Sequence, residues 1–195
     1  MKTKSKWLVG ISIGFLMGIS NSALAQNPIE ICNLEKNKTA DQGYMCQVKT
    51  STGNVFWQLD AKTTSGKMVW RDLKSNLLVS DILDEKYTHY QVKDICTDNS
   101  SLEARGNLTT VNWSLPSGYP KFLNGKNDFP DKDADFETLE ANGIRKVIDI
   151  SDRCFWSSSV DPDNFDFVYV FDGDDGVIYN DHRGYNVSSV LCVGR

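Results

Sequence analysis

Three sets of side chains in this chain have types and spacings that could do chemistry. The first is Cys154 with the two histidines, His89 and His182. A thiol beside an imidazole and an Asp is the constellation of a cysteine nucleophile, in which the base takes the thiol proton. Nothing in the surrounding sequence ties these residues together, and a free cysteine next to Phe155-Trp156 is equally a small apolar core residue. Ser157-Ser158-Ser159 offers hydroxyls without the G-x-S-x-G elbow that exposes a serine nucleophile. Those hydroxyls are expected to bond backbone where a strand enters a loop. No catalytic set is expected.

The second set is acidic. Asp161, Asp163, Asp166, Asp172 and Asp174 place carboxylates at closely spaced loop positions, the oxygen-rich pattern that Ca²⁺ accepts because it takes six to eight ligands without strict geometry. Asp172 to Gly176 is too short for an EF-hand loop and lacks its distal Glu. Asp and Gly also make turns and keep an exported surface hydrated. Calcium is therefore a candidate cofactor, with no other implied. The third set is polar and aromatic: Asp161, Asp163, Asn164, Asp174, Asp175, Tyr179, Asp181, His182, Arg183 and Tyr185. Aromatic faces with carboxylates, an amide and an Arg suit sugar stacking and hydroxyl hydrogen bonds, and equally suit a protein contact.

The elements that must carry these residues can be read from spacing. Residues 26–43 are polar and expected to form an irregular lead-in. Tyr44 to Lys49 and Val55 to Leu59 flank Thr50-Ser51-Thr52-Gly53-Asn54, which predicts a hairpin. Thr88 and Gln91 have capping-box spacing, so a helix should start there and turn Tyr87 or Val92, Ile95 and Cys96 inward. Trp113-Ser114-Leu115-Pro116-Ser117 should lead into a brief second helical stretch, cut short by Pro120 and Gly125. Asp133 to Asn142 predicts a helix with Phe136 and Leu139 on one face and Gly143 as its stop.

After Ile150 the period becomes two. Phe165, Phe167, Tyr169 and Phe171 alternate with Asp166, Val168, Val170 and Asp172, as in a strand. Asp172 to Gly176 then turns, Val177 to Asn180 returns, Asp181 to Tyr185 loops, and Ser188 to Val193 forms the last strand. Trp57, Trp70, Trp113, Trp156 and Tyr169 are assigned to the core. Helices in the first half and a β meander in the second predict an α+β fold.

Lys2, Lys4 and Lys6, the apolar run Trp7 to Ile19 and Asn21-Ser22-Ala23-Leu24-Ala25 predict a secretory signal peptide over residues 1–25. The apolar run is shorter than the roughly 20 residues that span a bilayer, so membrane insertion is not expected. Residues 1–25 hold three lysines and no acid, so their removal takes the formal net charge from −5 to −8. An acidic chain without a basic stripe excludes nucleic acid and anionic lipid as natural partners. All five cysteines lie beyond Ala25 and none forms C-x-x-C, which in an oxidising compartment indicates bridges. Cys32 and Cys46 could staple the lead-in to its first strand. Five is odd, so at least one thiol stays free or pairs between chains.

Trp57, Trp70-Arg71-Asp72, a helix ending in Cys96, Trp113-Ser114-Leu115-Pro116-Ser117, Phe155-Trp156-Ser157-Ser158-Ser159 and Leu191-Cys192-Val193-Gly194-Arg195 follow one another in a familiar order. From about Val48 to Arg195 the chain resembles the Lcl C-terminal domain family. Leu139-Glu140-Ala141-Asn142-Gly143-Ile144-Arg145 also resembles exported multi-copy members from predatory bacteria. The resemblance implies a C-type lectin-like fold over residues 44–195, with two or three short helices packed on a twisted antiparallel sheet with long loops. It implies a Cys96–Cys192 bridge, which leaves Cys154 as the free thiol, and it allows a homo-oligomer such as a trimer. Two positions depart from the family: Ser114 and Leu191 stand where arginines are usual.

The fold is also related to that of the formylglycine-generating enzymes, but the close pair of reactive cysteines that such enzymes use is missing here. So is the Glu-Pro-Asn or Gln-Pro-Asp signature of calcium-dependent sugar-binding lectins. The expectation is an exported binding module, periplasmic or secreted, that recognises a surface glycan or envelope component for adhesion through loops of the C-terminal meander. The alternative is a structural or protein-interaction envelope protein without sugar binding, and beyond it an enzyme of the formylglycine-generating kind.

Overall fold

The computed structural model describes residues 29–83, 85–92, 94–97, 108, 110–120 and 134–195. The signal-peptide segment and part of the stretch after Ser117 lie outside them. The fold is α+β, with two sheets in place of one. Strands β1 (Glu30–Ile31), β2 (Met45–Thr50), β3 (Gly53–Lys62), β4 (Met68–Asp72), β5 (Leu78–Val79), β6 (Trp113–Ser114) and β10 (Val193–Gly194) make the larger, in the order β1-β2-β3-β4-β5-β10-β6. Strands β7 (Cys154–Val160), β8 (Phe167–Asp172) and β9 (Ile178–His182) make the smaller, which is antiparallel throughout. The larger sheet is mixed, because β1 runs parallel to β2.

That parallel pair corrects two expectations at once. Residues 26–43 are not irregular throughout: they contain β1 and the helix α1 (Leu34–Thr39). A parallel pair needs a crossover rather than a tight turn, and α1 supplies it. Asn33 caps α1 by accepting from the Glu35 and Lys36 amides. The Cys32–Cys46 disulfide locks the crossover against β2.

The predicted hairpin forms as β2–β3. The Thr88 helix is one turn only, α2 (His89–Val92), with the Thr88 amide donating to Gln91 Oε1 at 2.8 Å. Val92 and Cys96 are buried as expected. Residues 115–120 have no regular structure, so no described residue forms the helical stretch after Ser117. The next helix, α3 (Asp135–Ala141), buries Phe136 and Leu139 and ends at Gly143 in a left-handed conformation (φ +82°). A Cβ there would fall 2.4 Å from Val48 Cγ1, so glycine is required twice over.

Two hairpin turns share one construction. Asp72 and Asp172 each accept the amide two residues on through Oδ1, and the amide four residues on through the carbonyl. The last loop position is left-handed in both, Asn76 at φ +63° and Gly176 at φ +79°. The acidic run Asp172-Gly173-Asp174-Asp175-Gly176 is thus a turn in which Asp172 and Asp175 accept from the nearby Asp174 and Val177 amides, while Asp174 accepts from the Asp152 amide.

Strand β8 lies between the two hydrophobic clusters. Phe171 enters the first with Trp57, Phe136 and Phe155, and stacks on Phe136 at 4.6 Å. Val168 and Val170 enter the second with Trp113, Trp156 and Val92. Trp57, Trp70, Trp113, Trp156 and Tyr169 are all buried, as assigned. Phe165 is not part of the strand: it lies in the β7–β8 loop with 73% of its surface exposed. The segment Ser188 to Val193 is not one strand either. Ser188 bridges Tyr87, Ser189 bridges Phe155, and only Val193–Gly194 joins the larger sheet. Its backbone groups are divided between both sheets, so it ties them together. The Cys96–Cys192 disulfide fastens the turn that follows α2 to this tie.

Asp72 couples the larger sheet to α3. Fully buried, it accepts from Asn142 Nδ2 at 2.6 Å, the Ser75 hydroxyl at 2.5 Å and the Lys74 amide at 2.9 Å. Asn142 O in turn takes the Trp57 indole N–H at 2.9 Å. A hydrogen bond to a buried charged group is worth about 1.5–3 kcal/mol. Asn142→Ala should therefore lower stability by about 2 kcal/mol, read as a shift in urea midpoint at unchanged slope.

Candidate functional site

The smaller sheet has two ends, and the predicted site residues divide between them. Asp161, Asp163, Asn164 and Asp166 lie in the β7–β8 loop, next to Asp181, His182, Arg183 and Tyr185 at the end of β9 and just after it. Asp172, Asp174 and Asp175 lie at the opposite end, in the β8–β9 turn. Strand β8 separates them by roughly 16 Å at about 3.3 Å per residue. Asp181 and His182 belong to β9 itself, paired with Val168 and Phe167, so the loop expected to begin at Asp181 begins at Arg183.

The five carboxylates assigned to calcium therefore cannot surround one ion, whose ligands must all lie within about 2.6 Å of it. Their own bonding is local. Asp161 is buried and accepts from the Asp163 amide and from Asn180 Nδ2. Asp172 and Asp174 accept from the Asp174 and Asp152 amides. Among the described residues no three His, Cys, Asp or Glu side chains converge where they could hold a metal ion. The donor set does not fit calcium.

The β7–β8 and β9–β10 loops meet α2 to form one surface, with Arg183 at its centre. The Arg183 amide donates to Asp166 O, and its Nη1 donates to Phe165 O at 3.2 Å. Its guanidinium lies 4.6 Å from the Tyr90 ring centroid. The Arg183 carbonyl accepts from the His89 amide at 3.0 Å. His182 lies 4.3 Å from the Tyr185 ring and edge-on to Phe167, while its Nδ1 accepts from the Gly184 amide. Three exposed aromatic residues stand on these elements: Tyr90 at 59% exposure against the Arg183 guanidinium, Phe165 at 73%, whose carbonyl that guanidinium bonds, and Tyr185 at 83% against His182. Asp163, Asn164 and Asp166 are exposed beside them.

No family model matches the chain, and no curated protein or solved structure is significantly similar to it. Of the sequence candidates, Asp163, Asn164, His182, Arg183 and Tyr185 belong to this surface, and Asp161 and Asp181 brace it. Asp181 Oδ1 holds the His182 amide at 2.7 Å and bonds Asn186 Nδ2. Asp174 and Asp175 are remote from it. Tyr90 and Phe165 were not among the candidates. Tyr90 stands inside a helix signal and Phe165 extends an alternating pattern, so the outward aim of either ring depends on where its element ends.

Tyr179 serves elsewhere. Its hydroxyl donates to Cys154 Sγ at 3.2 Å, and burial followed by that hydrogen bond pushes the phenol well above its usual range. Lys86, Asp152, Asp181, Tyr185 and Asn186 line the surrounding cleft of about 350 Å³, so Tyr185 stands between this cleft and the Arg183 surface. Neither histidine is hydrogen-bonded to Cys154: His89 Nε2 meets Ser157 O, and His182 Nδ1 meets the Gly184 amide. The serine run bonds backbone. Ser157 Oγ accepts from the Ser159 amide, Ser158 Oγ donates to Pro116 O, and Ser159 Oγ accepts from the Gly118 amide. Tyr169 is core, its phenol pushed up to about 12 by burial and then by the Asp161 charge.

The four remaining cysteines are paired as Cys32–Cys46 and Cys96–Cys192. Titration of the denatured, unreduced protein should yield one thiol per chain, from Cys154. Three thiols would contradict the pairing.

Proposed function

We propose that this chain is an exported glycan-binding module with a C-type lectin-like fold, related to the Lcl C-terminal domain family. One observation carries this: Tyr90, Phe165 and Tyr185 are exposed on α2 and two loops that hydrogen bonds of Arg183 join to one another, on a disulfide-braced scaffold. Clustered exposed rings rimmed by polar groups mark a contact surface. A pyranose offers the matching chemistry, an apolar C–H face for the rings and hydroxyls for Asp163, Asn164 and Asp166. Because the loops are already held, few torsions would need to be frozen on binding.

Two disulfides support export, since such bridges persist in oxidising compartments. Among the described residues no helix is long and apolar enough to cross a membrane. A surface glycan or glycan-bearing envelope component is the ligand in this proposal, met in the periplasm or outside the cell. The same rings would also suit an envelope protein or a second copy of the chain.

Stacking contacts contribute about 1 kcal/mol per ring beyond simple burial, so three rings correspond to roughly 100-fold in affinity. On a glycan array, the oxidised protein should bind specific sugars with or without a chelator. The Tyr90→Ala/Phe165→Ala/Tyr185→Ala variant should lose at least tenfold while keeping its melting temperature within a few degrees. Unchanged binding by that variant would remove the site. No binding by folded wild-type protein would favour a protein partner instead.

A further inference from the structure

Beneath the aromatic surface lies the His89 side chain, only 7% exposed. Its Nε2 is 3.1 Å from the Ser157 carbonyl of β7. A carbonyl oxygen only accepts, so Nε2 carries the ring proton and Nδ1 presents a bare lone pair. That Nδ1 is buried and, among the described residues, has no hydrogen-bond partner. The ring also meets the Trp156 indole edge-on at 5.5 Å. A second proton would therefore create a buried N–H with nothing to accept it.

The charges around His89 oppose protonation as well. The β9–β10 loop presents the Arg183 guanidinium, and β7 presents only the Ser157 carbonyl and the Trp156 ring. Glu85 and Lys86 before α2, Asp94 after it and Asp166 across the loop are exposed to solvent. Burial lowers the His89 pKa from 6.5; the Ser157 hydrogen bond opposes it in part, and the Arg183 charge adds a smaller lowering.

His89 also holds the surface together mechanically. Its amide bonds Arg183 O, the next residue is Tyr90 under the Arg183 guanidinium, and Gly184 packs against the Tyr90 ring. A Cβ on Gly184 would lie 3.2 Å from Tyr90 Cε2. A single helical turn has little stability of its own, so α2 stays in place only through such contacts.

We propose that His89 is an acid-sensitive latch: a proton on Nδ1 releases α2 from β7 and the β9–β10 loop and takes the Tyr90–Phe165–Tyr185 surface apart. As regulation of ligand binding, this rests on that surface being the glycan site; the latch itself does not. Neutral when closed, His89 binds fewer protons than in the opened form. Closure is therefore fully favoured above about pH 6.5 and weakens as pH falls through that value toward the lowered pKa. For one proton the opening constant rises at most about 25-fold between pH 7 and pH 5. The Cys96–Cys192 bridge keeps the released segment tethered.

The test is amide hydrogen exchange by NMR on the oxidised protein, corrected for intrinsic exchange, with the imidazole resonances titrated in parallel. In wild type, the Tyr87 and His89 amides should lose protection from pH 7 to pH 5, by up to about 25-fold and ahead of core amides such as Val170. His89→Gln keeps a donor for Ser157 O but cannot take a proton, and should abolish the loss. His182→Gln should behave as wild type. An equal acid response in His89→Gln, or a His89 imidazole titrating at or above pH 6.5, would overturn the latch. If His89→Gln does not fold, the wild-type imidazole titration decides alone. Because no ligand is used, a failed latch leaves the glycan site standing, and an inert surface leaves the exchange result standing.

Discussion

The Trp156 indole donates to the Tyr87 carbonyl at 2.6 Å and meets the edge of His89, whose Nε2 donates to the Ser157 carbonyl. This junction between α2 and β7 is what brings three separate stretches of chain into one surface. Without it, Tyr90 would have no fixed position relative to Arg183, and Arg183 would lose the His89 amide that holds its carbonyl. The junction is polar at its centre and apolar around it. Trp156 sits with Val92, Val168 and Val170 in the second hydrophobic cluster. The hydrogen bonds fix direction, and burial supplies most of the stabilisation.

Two covalent constraints make that arrangement affordable for a short helix. Cys96–Cys192 closes a separation of 96 residues and would remove about 4–5 kcal/mol of chain entropy from the unfolded state on the loop-closure model. It also joins the turn after α2 to the segment that links both sheets. Cys32–Cys46 does the same for the β1–α1 crossover, at a separation of 14 residues. Between them runs β8, buried on both faces, so the loops at its ends are carried by the most enclosed strand of the smaller sheet. A rigid strand with functional residues on its flanking loops is how a scaffold separates stability from recognition.

Much of this was legible in the residues. The β2–β3 hairpin followed from its Gly-Asn loop, α3 from Phe136, Leu139 and the Gly143 stop, and β8 from its period of two. What was not legible depended on tertiary contacts. The parallel β1–β2 pair needs α1, whose only local mark is the Asn33 cap. Ser188 to Val193 reads as one strand, yet its hydrogen bonds go to two different sheets. In the candidate site, Arg183 and Tyr185 stood out by type, but Tyr90 and Phe165 did not. Their exposure depends on α2 stopping after one turn and β8 starting at Phe167, boundaries that packing sets. The acidic cluster misled for the opposite reason. Sequence proximity of Asp161 to Asp174 conceals the length of β8 between its two halves.

The central claim is that a sugar is met by the Arg183-centred surface. Backbone NMR of the labelled, oxidised protein, titrated with an oligosaccharide hydrolysate of bacterial envelope glycan, tests it without any substitution. The account predicts shifts confined to Tyr90, the residues from Asp163 to Asp166 and those from His182 to Tyr185, with β2–β4 unmoved. Shifts centred on the Cys154–Tyr179 cleft or the Asp172–Gly176 turn, with the Arg183 loops silent, would contradict it.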